Sequence, residues 1–221
     1  MTKVARSAGM TARLGRGVAT VAGLGVCSAL VWSSSHATFT ASTVNNGNTL
    51  GAGTVAISDN DAATAMFNAS NLAPGDTATV CMGVTYTGTL TPTAIKMYFP
   101  TAQAQESLAG AAYTTWADST AAEMDDYTTL QVEVNSADLS SDPGNSCAPA
   151  SVGTFSDVTA AASIRSLISG NNAYATTTLS APAIGKDKWR VFRFTYALPS
   201  GVTDSVQGDG IKFGVTWEAQ R

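Results

Sequence analysis

The sequence predicts an all-β protein, a jelly-roll-like antiparallel β-sandwich with one or two short helices in insertions. About seven short segments are rich in β-branched and aromatic residues, and turns that contain proline or glycine separate them. Helical patterns do not alternate with these segments, which disfavours a parallel α/β fold. Because 44% of the residues are hydrophobic and only 13% are charged, a disordered acidic chain is excluded.

The predicted strands follow a turn-rich linker over residues 45–53. They span residues 54–58, 77–86, 94–99, 129–135, 189–198 and 211–217, where apolar side chains alternate or β-forming residues predominate. The alternation slips at Phe192, which predicts a β-bulge there. Helices are predicted over the Ala-rich residues 102–109, and from Ser156 or Asp157 to Ile168, before Gly170.

The first 37 residues have the pattern of an export signal. A basic segment that contains Lys3 and Arg16 precedes an uncharged apolar run of 15 residues, 18–32. This run is shorter than the roughly 20 residues that span a bilayer. Small residues then lead to Ala37, so we expect cleavage between Ala37 and Thr38 and, without a twin-arginine pair, ordinary Sec export. An uncleaved membrane anchor is the alternative.

Removal of residues 1–37 changes the chemistry available to the chain. Four of the 12 basic side chains leave and none of the 16 acidic ones does, so the net charge falls from −4 to −8. This acidic balance argues against a nucleic-acid-binding protein. His36, the only histidine, leaves as well. The mature chain can therefore form neither a His-ligated zinc site nor a Ser-His-Asp triad.

The cysteines indicate the redox compartment. Cys27 lies in the signal segment, which leaves Cys81 and Cys147 in the exported chain. Two cysteines in an oxidising compartment can form one disulfide, and two buried free thiols are the alternative. The sequence contains no C-x-x-C spacing, so thioredoxin-like redox chemistry has no support.

Paired aspartates are the nearest candidates for a metal site. Asp125 with Asp126, and Asp59 with Asp61, could offer carboxylate oxygens, which suit calcium best. Aspartates among Asn, Ser and Thr residues are more often turn formers, so we assign no metal and no other cofactor.

Two further groups of side chains have both structural and binding interpretations. The basic group is either a solvated strand face or a contact for an acidic polymer or a neighbouring acidic subunit; its members are Lys186, Lys188, Arg190 and Arg193. The tryptophans either pack in the core or form a carbohydrate platform; they are Trp116, Trp189 and Trp217.

Segments near both ends of the mature chain resemble the TasA/camelysin (CalY) family. Near the start these are a phenylalanine close to the cleavage point, a Gly-Thr-led first strand at residues 53–57 and Asn-Leu-Ala-Pro-Gly-Asp at residues 71–76. Near the end they are Gln-Gly-Asp at 207–209, Ile-Lys-Phe at 211–213 and Val-Thr-Trp-Glu-Ala at 215–219. The resemblance implies a signal peptide that a SipW-type signal peptidase removes.

The same resemblance implies a jelly-roll subunit of extracellular or biofilm-matrix fibres. In such fibres an N-terminal strand, freed by signal cleavage, is added to the sheet edge of the next subunit. Head-to-tail donation does not close and therefore gives filaments. A disordered or self-complementing N-terminal strand is the alternative. The donor strand would begin at the cleavage point, with Phe39 as its anchor, and consist of Thr38, Phe39, Thr40, Ala41, Ser42, Thr43 and Val44.

The sequence thus predicts a signal peptide at 1–37, a donor and linker segment at 38–53 and a β-sandwich domain at 54–221. We expect a secreted, non-enzymatic structural protein whose partner is a second copy of itself, with other matrix proteins as further candidates. Contact with a membrane is expected only before signal cleavage. The family also carries a metalloprotease label, although the sequence has no His-Glu-x-x-His motif. A secreted camelysin-like metalloendopeptidase and a monomeric cell-surface binding module are the alternatives.

Overall fold

Antiparallel pairing between β-rich segments organises the chain in a computed structural model that describes residues 40–43, 57–60, 72–118, 122–202 and 204–220. Most of the strands are short, as expected from the frequent proline and glycine turns. Within these residues the strands are Thr40–Thr43 (β1), Ile57–Asp59 (β2), Thr77–Tyr86 (β3), Ala94–Tyr98 (β4), Gln105–Ser107 (β5), Thr114–Thr115 (β6), Thr129–Asn135 (β7), Phe155–Ser163 (β8), Ser180–Ala181 (β9), Lys188–Ala197 (β10), Gly210–Lys212 (β11) and Thr216–Gln220 (β12).

The strands form two large sheets and one small one. The first sheet has the order β1-β12-β4-β9, the second β2-β3-β10-β7-β8 and the third β11-β5-β6. Each pair of neighbouring strands in these sheets is antiparallel. The long strands β3 and β10 pair without a break, from Thr77 opposite Ala197 to Tyr86 opposite Lys188. The prediction of an all-β antiparallel sandwich is confirmed.

The inner faces of the first and second sheets meet around Trp217. This side chain of β12 is 2% exposed and makes edge-to-face contacts with Phe192 and Phe194 of β10, at ring-centroid distances of 5.6 and 6.2 Å. Ile95 and Met97 of β4 are fully buried in the same core. Aromatic pairs of this kind contribute about 0.5–1.5 kcal/mol each beyond the burial of their surface. The core therefore ties the C-terminal strand to both sheets.

The strand predictions are confirmed where local patterning is strong. Predicted strands 77–86 and 129–135 coincide with β3 and β7, and 94–99 and 189–198 match β4 and β10 to within one residue. The single strand predicted over 211–217 is wrong, because β11 and β12 are separate strands in different sheets. Of the strand predicted at 54–58, the described part begins at Ile57 in β2.

The bulge predicted at Phe192 is wrong. Strand β10 pairs with β3 without a register shift, and the irregularity lies between β7 and β8, on both sides of Val132. Val191 and Phe194, which a bulge would have placed on one face, lie on opposite faces. Phe194 belongs to the main core, whereas Val191 packs with Cys81 on the outer side of the second sheet.

Both helix predictions fail in part because strand pairing overrides local propensity. Residues 102–109 contain a 3₁₀ turn at Thr101–Gln103 followed by β5, which pairs with β11 and β6. The first half of the predicted helix 156–168 is the edge strand β8, and the helix begins only after Ser163, whose Oγ accepts a hydrogen bond from the N–H of Ser166. The described helices are Met124–Tyr127 (α1), Pro149–Val152 (α2) and Ile164–Gly170 (α3).

Several predictions fall outside the described residues. They concern the signal peptide at 1–37, the cleavage point between Ala37 and Thr38, the donor residues Phe39 and Val44, and Asp61. Residues 39–221 form one compact unit, which includes β1. Among the described residues, no helix combines the length and the apolar character needed to cross a lipid bilayer.

Candidate functional site

Three short elements bring acidic side chains and one arginine together beside helix α1. Glu106 comes from β5, Arg165 from α3, and Glu123, Asp125 and Asp126 from the start of α1. We call these five residues the carboxylate cluster. Its members are far apart in sequence, and the fold of the third sheet and of α3 makes them neighbours.

Helix α1 fixes the acidic half of the carboxylate cluster through its own first turn. Glu123 is the N-cap residue, and its side chain accepts a hydrogen bond from the backbone N–H of Asp126. In return, Oδ2 of Asp126 accepts a hydrogen bond from the N–H of Glu123, at 3.4 Å. This reciprocal capping box satisfies backbone donors that the helix itself leaves free. It also sets Glu123 and Asp126 on the side of α1 that faces Arg165.

Arg165 reaches the acidic residues with three of its nitrogen atoms. Its Nη2 lies 2.7 Å from Oε2 of Glu123 and 3.0 Å from Oδ1 of Asp125, and its Nε lies 2.6 Å from Oδ1 of Asp126. Its Nη1 lies 3.7 Å from Oδ1 of the more exposed Asp118. Burial alone lowers the pKa of Arg165, but the carboxylates of Asp125, Asp126 and Glu123 outweigh this effect and raise it. The guanidinium is therefore a permanent cation at this point.

Packing of α3 holds Arg165 in this orientation. The neighbouring side chains Ile164, Leu167 and Ile168 are buried in the main core, with exposures of 3%, 3% and 0%. The N–H of Ile164 also donates to the carbonyl of Thr128, directly after α1, at 3.0 Å. Because both the apolar face and the first turn of α3 are fixed, Arg165 has little freedom to turn away from α1.

The remaining oxygens of the carboxylate cluster have distinct environments. Nε1–H of Trp116 donates to Oδ2 of Asp125 at 2.7 Å, in a fully buried contact. Oε1 of Glu106 accepts a hydrogen bond from the N–H of Ala117 at 3.1 Å, whereas its Oε2 is buried without a partner. Burial raises the pKa of the Glu106 carboxyl, and the nearby charges of Glu123 and Asp125 raise it further.

Three members of the carboxylate cluster have the donor chemistry of a metal site. One oxygen each from Glu106, Glu123 and Asp125 lies within 4.8 Å of the other two, and such oxygens suit calcium or magnesium. However, both oxygens of Asp125 and Oε2 of Glu123 already accept hydrogen bonds from Arg165 or Trp116. A catalytic metal also needs an open ligand position that a substrate can reach, and Asp125 is only 2% exposed. These residues do not fit a catalytic metal.

Sequence reasoning found this region only in part. It singled out Asp125 and Asp126 as an isolated pair, whereas the structure places Asp125 with Glu106 and Glu123 and pairs Asp126 with Arg165. The expectation that they are simple turn formers is also incomplete, since both lie in α1. Glu106, Glu123 and Arg165 were missed. The usual capping-box signal does not reveal Glu123, because that pattern begins with Ser, Thr, Asp or Asn and has Glu or Gln three residues later, whereas Glu123 is followed by Asp126.

The predicted donor segment contains a second candidate site. Its described part, β1, pairs with β12 of the same chain, from Thr40 opposite Gln220 to Thr43 opposite Trp217. Strand β1 lies at the edge of the first sheet, and β12 lies between β1 and β4. Strand β1 therefore covers one side of the strand that carries Trp217, in its own chain, as the alternative of a self-complementing N-terminal strand predicts.

A loop tied by a disulfide covers the outer face of the second sheet. We call residues 136–154 the cover loop. Cys147 of this loop is bonded to Cys81 of β3, with the two Cα atoms 5.4 Å apart. Nδ2 of the fully buried Asn135 donates to the carbonyl of Val152 at 2.9 Å, and its Oδ1 accepts from the N–H of Val191. The cover loop is thus fastened covalently and by buried hydrogen bonds.

Three of the four side chains of the basic group have ion-pair partners, and two of the three tryptophans are buried. Arg190 pairs with Asp138 at 2.7 Å, Arg193 pairs with Glu133 through both Nε and Nη2, and Lys186 pairs with Asp187. This pairing favours the interpretation as a strand face over a docking site for an acidic polymer. Trp116 and Trp217 are buried, with exposures of 8% and 2%, so they belong to the core.

Comparison with known proteins relates this chain to a protein family. The model of a protein family described as camelysin metallo-endopeptidase matches residues 9–135, which is more than half of the chain. The matched range includes Glu106, Glu123 and Asp125 and ends with β7, before Arg165. No curated protein matches the chain.

Proposed function

The chain belongs to the camelysin metallo-endopeptidase family, and on that premise we propose that it is a structural subunit of extracellular fibres. The observation that carries this proposal is the pairing of β1 with β12 at the edge of the first sheet. The described part of a strand close to the start of the mature chain, Thr40–Thr43, is held there by antiparallel pairing with β12. The same pairing can be made by the equivalent strand of a second copy.

Exchange of β1 between copies would build a filament. Strand β12 is buried along most of its length and carries Trp217 and Ala219, which are 2% and 0% exposed. If β1 left its own subunit, β12 would present unpaired N–H and C=O groups beside this core, and another strand must cover them. When each subunit covers the next one, the contact is heterologous and does not close into a ring.

Export forms part of the same proposal. We propose that residues 1–37 are removed between Ala37 and Thr38, that the mature protein lies in the extracellular matrix or at the cell surface, and that the disulfide forms there. N-terminal sequencing of the protein recovered outside the cell tests this step. Mature protein should begin with Thr38.

The decisive experiment compares two versions of the mature protein by negative-stain electron microscopy. One version begins at Thr38 and the other lacks residues 38–44. We expect filaments from the first and only monomers from the second, because the second lacks the donor strand. Monomers from both versions, also after concentration, would contradict self-assembly and favour a monomeric surface-binding module.

A pair of point variants separates strand donation from a general loss of solubility. Phe39→Asp places a charge at the expected anchor and should abolish filaments, since a buried unpaired charge is unfavourable. Thr40→Asp places the same charge at the next position, which faces the opposite side of a β-strand. Filaments should therefore persist in Thr40→Asp. If both variants assemble like the wild type, donation by this strand is wrong.

The name of the family favours a second candidate, a metal-dependent endopeptidase. Against it, residues 38–221 contain no histidine, and the buried carboxylates of Glu123 and Asp125 are paired with Arg165. Incubation of the mature protein with casein, with and without a chelator, distinguishes the two functions. We expect no cleavage under either condition. If the protein cleaves casein, if the chelator stops the cleavage and if added metal restores it, the protein is a metal-dependent endopeptidase.

A further inference from the structure

The carboxylate cluster contains buried negative charges that need a neutralising cation, and the fibre proposal does not say which cation this is. Glu123 and Asp125 are 7% and 2% exposed, and buried carboxylates require a cation or several hydrogen-bond donors. In a family described as metallo-endopeptidases, the expected cation is a divalent metal ion. The geometry points to a different one.

We propose that the guanidinium of Arg165 is the resident cation of the carboxylate cluster and takes the place of a divalent metal ion, so that this chain keeps its fold without metal. Nη2 of Arg165 lies 2.7 Å from Glu123 and 3.0 Å from Asp125. A calcium ion that bridged the same two oxygens would lie about 2.3–2.6 Å from each of them. It would therefore compete for the position that Nη2 holds.

Two further nitrogen atoms, Nε1 of Trp116 and Nε of Arg165, lie beside the remaining aspartate oxygens. Oδ2 of Asp125 is taken by Trp116 at 2.7 Å, and Oδ1 of Asp126 lies 2.6 Å from Nε of Arg165. A guanidinium suits this arrangement because its planar set of N–H groups can face several carboxylates at once. Since Arg165 is on α3 and the three carboxylates that it contacts most closely lie at the start of α1, the cation also joins the two helices. Its loss should affect the stability of the whole domain.

Removal of Arg165 should turn the carboxylate cluster into a calcium site. Arg165→Ala would leave the oxygens of Glu106, Glu123 and Asp125, which lie within 4.8 Å of one another, without their cation. Three carboxylates around a vacated space form the oxygen-rich site that calcium prefers. The Arg165→Ala variant should therefore depend on calcium for its stability, whereas the natural chain should not.

The experiment measures thermal midpoints and calcium binding of the mature, disulfide-bonded protein. The wild type should have the same midpoint in EDTA and in millimolar CaCl2, and isothermal titration should detect no stoichiometric calcium or zinc binding. Arg165→Ala should lower the midpoint in EDTA by about 10 °C, since removal of one partner of a buried pair is strongly destabilising. Calcium should restore a large part of this loss.

Arg193→Ala is the matched control. Arg193 also holds a two-nitrogen ion pair, with Glu133, but this pair is more exposed and involves one carboxylate. Its loss should lower the midpoint slightly, and calcium should not restore it. A response of Arg193→Ala equal to that of Arg165→Ala would mean that calcium acts on the protein in general, and would overturn the proposal.

Two other results would also overturn it. The first is a wild type that binds one equivalent of calcium or zinc, or whose midpoint falls in EDTA; this measurement requires no variant to fold. The second is an Arg165→Ala protein whose midpoint does not respond to calcium. If Arg165→Ala does not fold in EDTA, Arg165→Gln replaces it, with recovery of folded protein in calcium as the expected result.

Discussion

At the scale of single residues, Glu106 is a side chain whose ionised form is destabilised by the folded structure. Its Oε1 accepts a hydrogen bond from the N–H of Ala117, but its Oε2 is buried and has no partner. Burial raises the pKa of this carboxyl, Glu123 and Asp125 raise it further, and Arg165 lowers it only in part. Glu106 therefore binds a proton more readily in the folded than in the unfolded chain.

This difference predicts that Glu106→Gln stabilises the protein at neutral pH. A raised pKa in the folded state gives stability that is present below the unfolded pKa and lost as the pH rises through the folded pKa. Glutamine has the shape of the protonated form and no charge to lose. We expect the variant to melt above the wild type at pH 7.5, with a smaller difference at pH 4.

Thermal melting of both proteins at these two pH values checks the prediction. Glu133→Gln is the control, because it removes the negative charge that pairs with Arg193 and should lower the midpoint at pH 7.5. A Glu106→Gln midpoint that is below the wild type at pH 7.5 would show that the ionised carboxylate is stabilising.

At the scale of elements, the cover loop depends on a covalent bond. The disulfide between Cys81 and Cys147 closes a loop between residues 66 positions apart. In the chain-entropy model, closure of a loop of this size stabilises the folded state by about 4 kcal/mol. Around the bond, Cys81, Val152 and Val191 form a small apolar cluster separate from the main core. Besides the disulfide, the loop is held by this small cluster and by buried hydrogen bonds such as that from Nδ2 of Asn135 to the carbonyl of Val152.

Cys147→Ser should therefore lower the thermal midpoint under oxidising conditions. This position is preferable to Cys81, which is only 3% exposed and would also lose packing. In reductant, the wild type should fall to nearly the same midpoint as the variant, because both then lack the bond. Calorimetry with and without reductant measures both values. Equal midpoints under oxidising conditions would mean that the bond contributes nothing to stability.

At the scale of the whole molecule, the fold joins its last strand to one of its first. Trp217 of the C-terminal β12 packs against Phe192 and Phe194 of the second sheet. Strand β1 pairs with the edge of β12 that does not pair with β4. A subunit whose β1 stays in place needs no partner. The proposed filament therefore requires that β1 leave its own β12.

A reversible cross-link tests this requirement. Thr40 and Gln220 are opposite each other in the β1–β12 register, so cysteines at both positions can join the strands. The oxidised double variant Thr40→Cys, Gln220→Cys should remain monomeric and should form filaments after reduction. The single variant Thr40→Cys and the wild type in the same reductant are the controls. Filaments from the oxidised double variant, with the cross-link verified by mass spectrometry, would contradict strand exchange.

The sequence by itself determined the all-β class, the central strands and Cys81 and Cys147 as the candidate disulfide pair. The limits of β3 and β7 could be predicted because alternation and β-branching act within one strand. The Ala-rich residues 102–109 were misassigned because pairing with β11, about 100 residues away, decides their conformation. The family resemblance was also visible in short motifs, and the family match supports it.

Only the tertiary structure decided the chemistry of the carboxylate cluster. Arg165 lies 42 residues from Glu123 and 40 from Asp125, and no local pattern links them. The sequence also leaves open whether a group of acidic residues binds a metal or an arginine, since both satisfy the same oxygens. The choice depends on which cation the fold brings into place, and here the burial of α3 against the core brings Arg165.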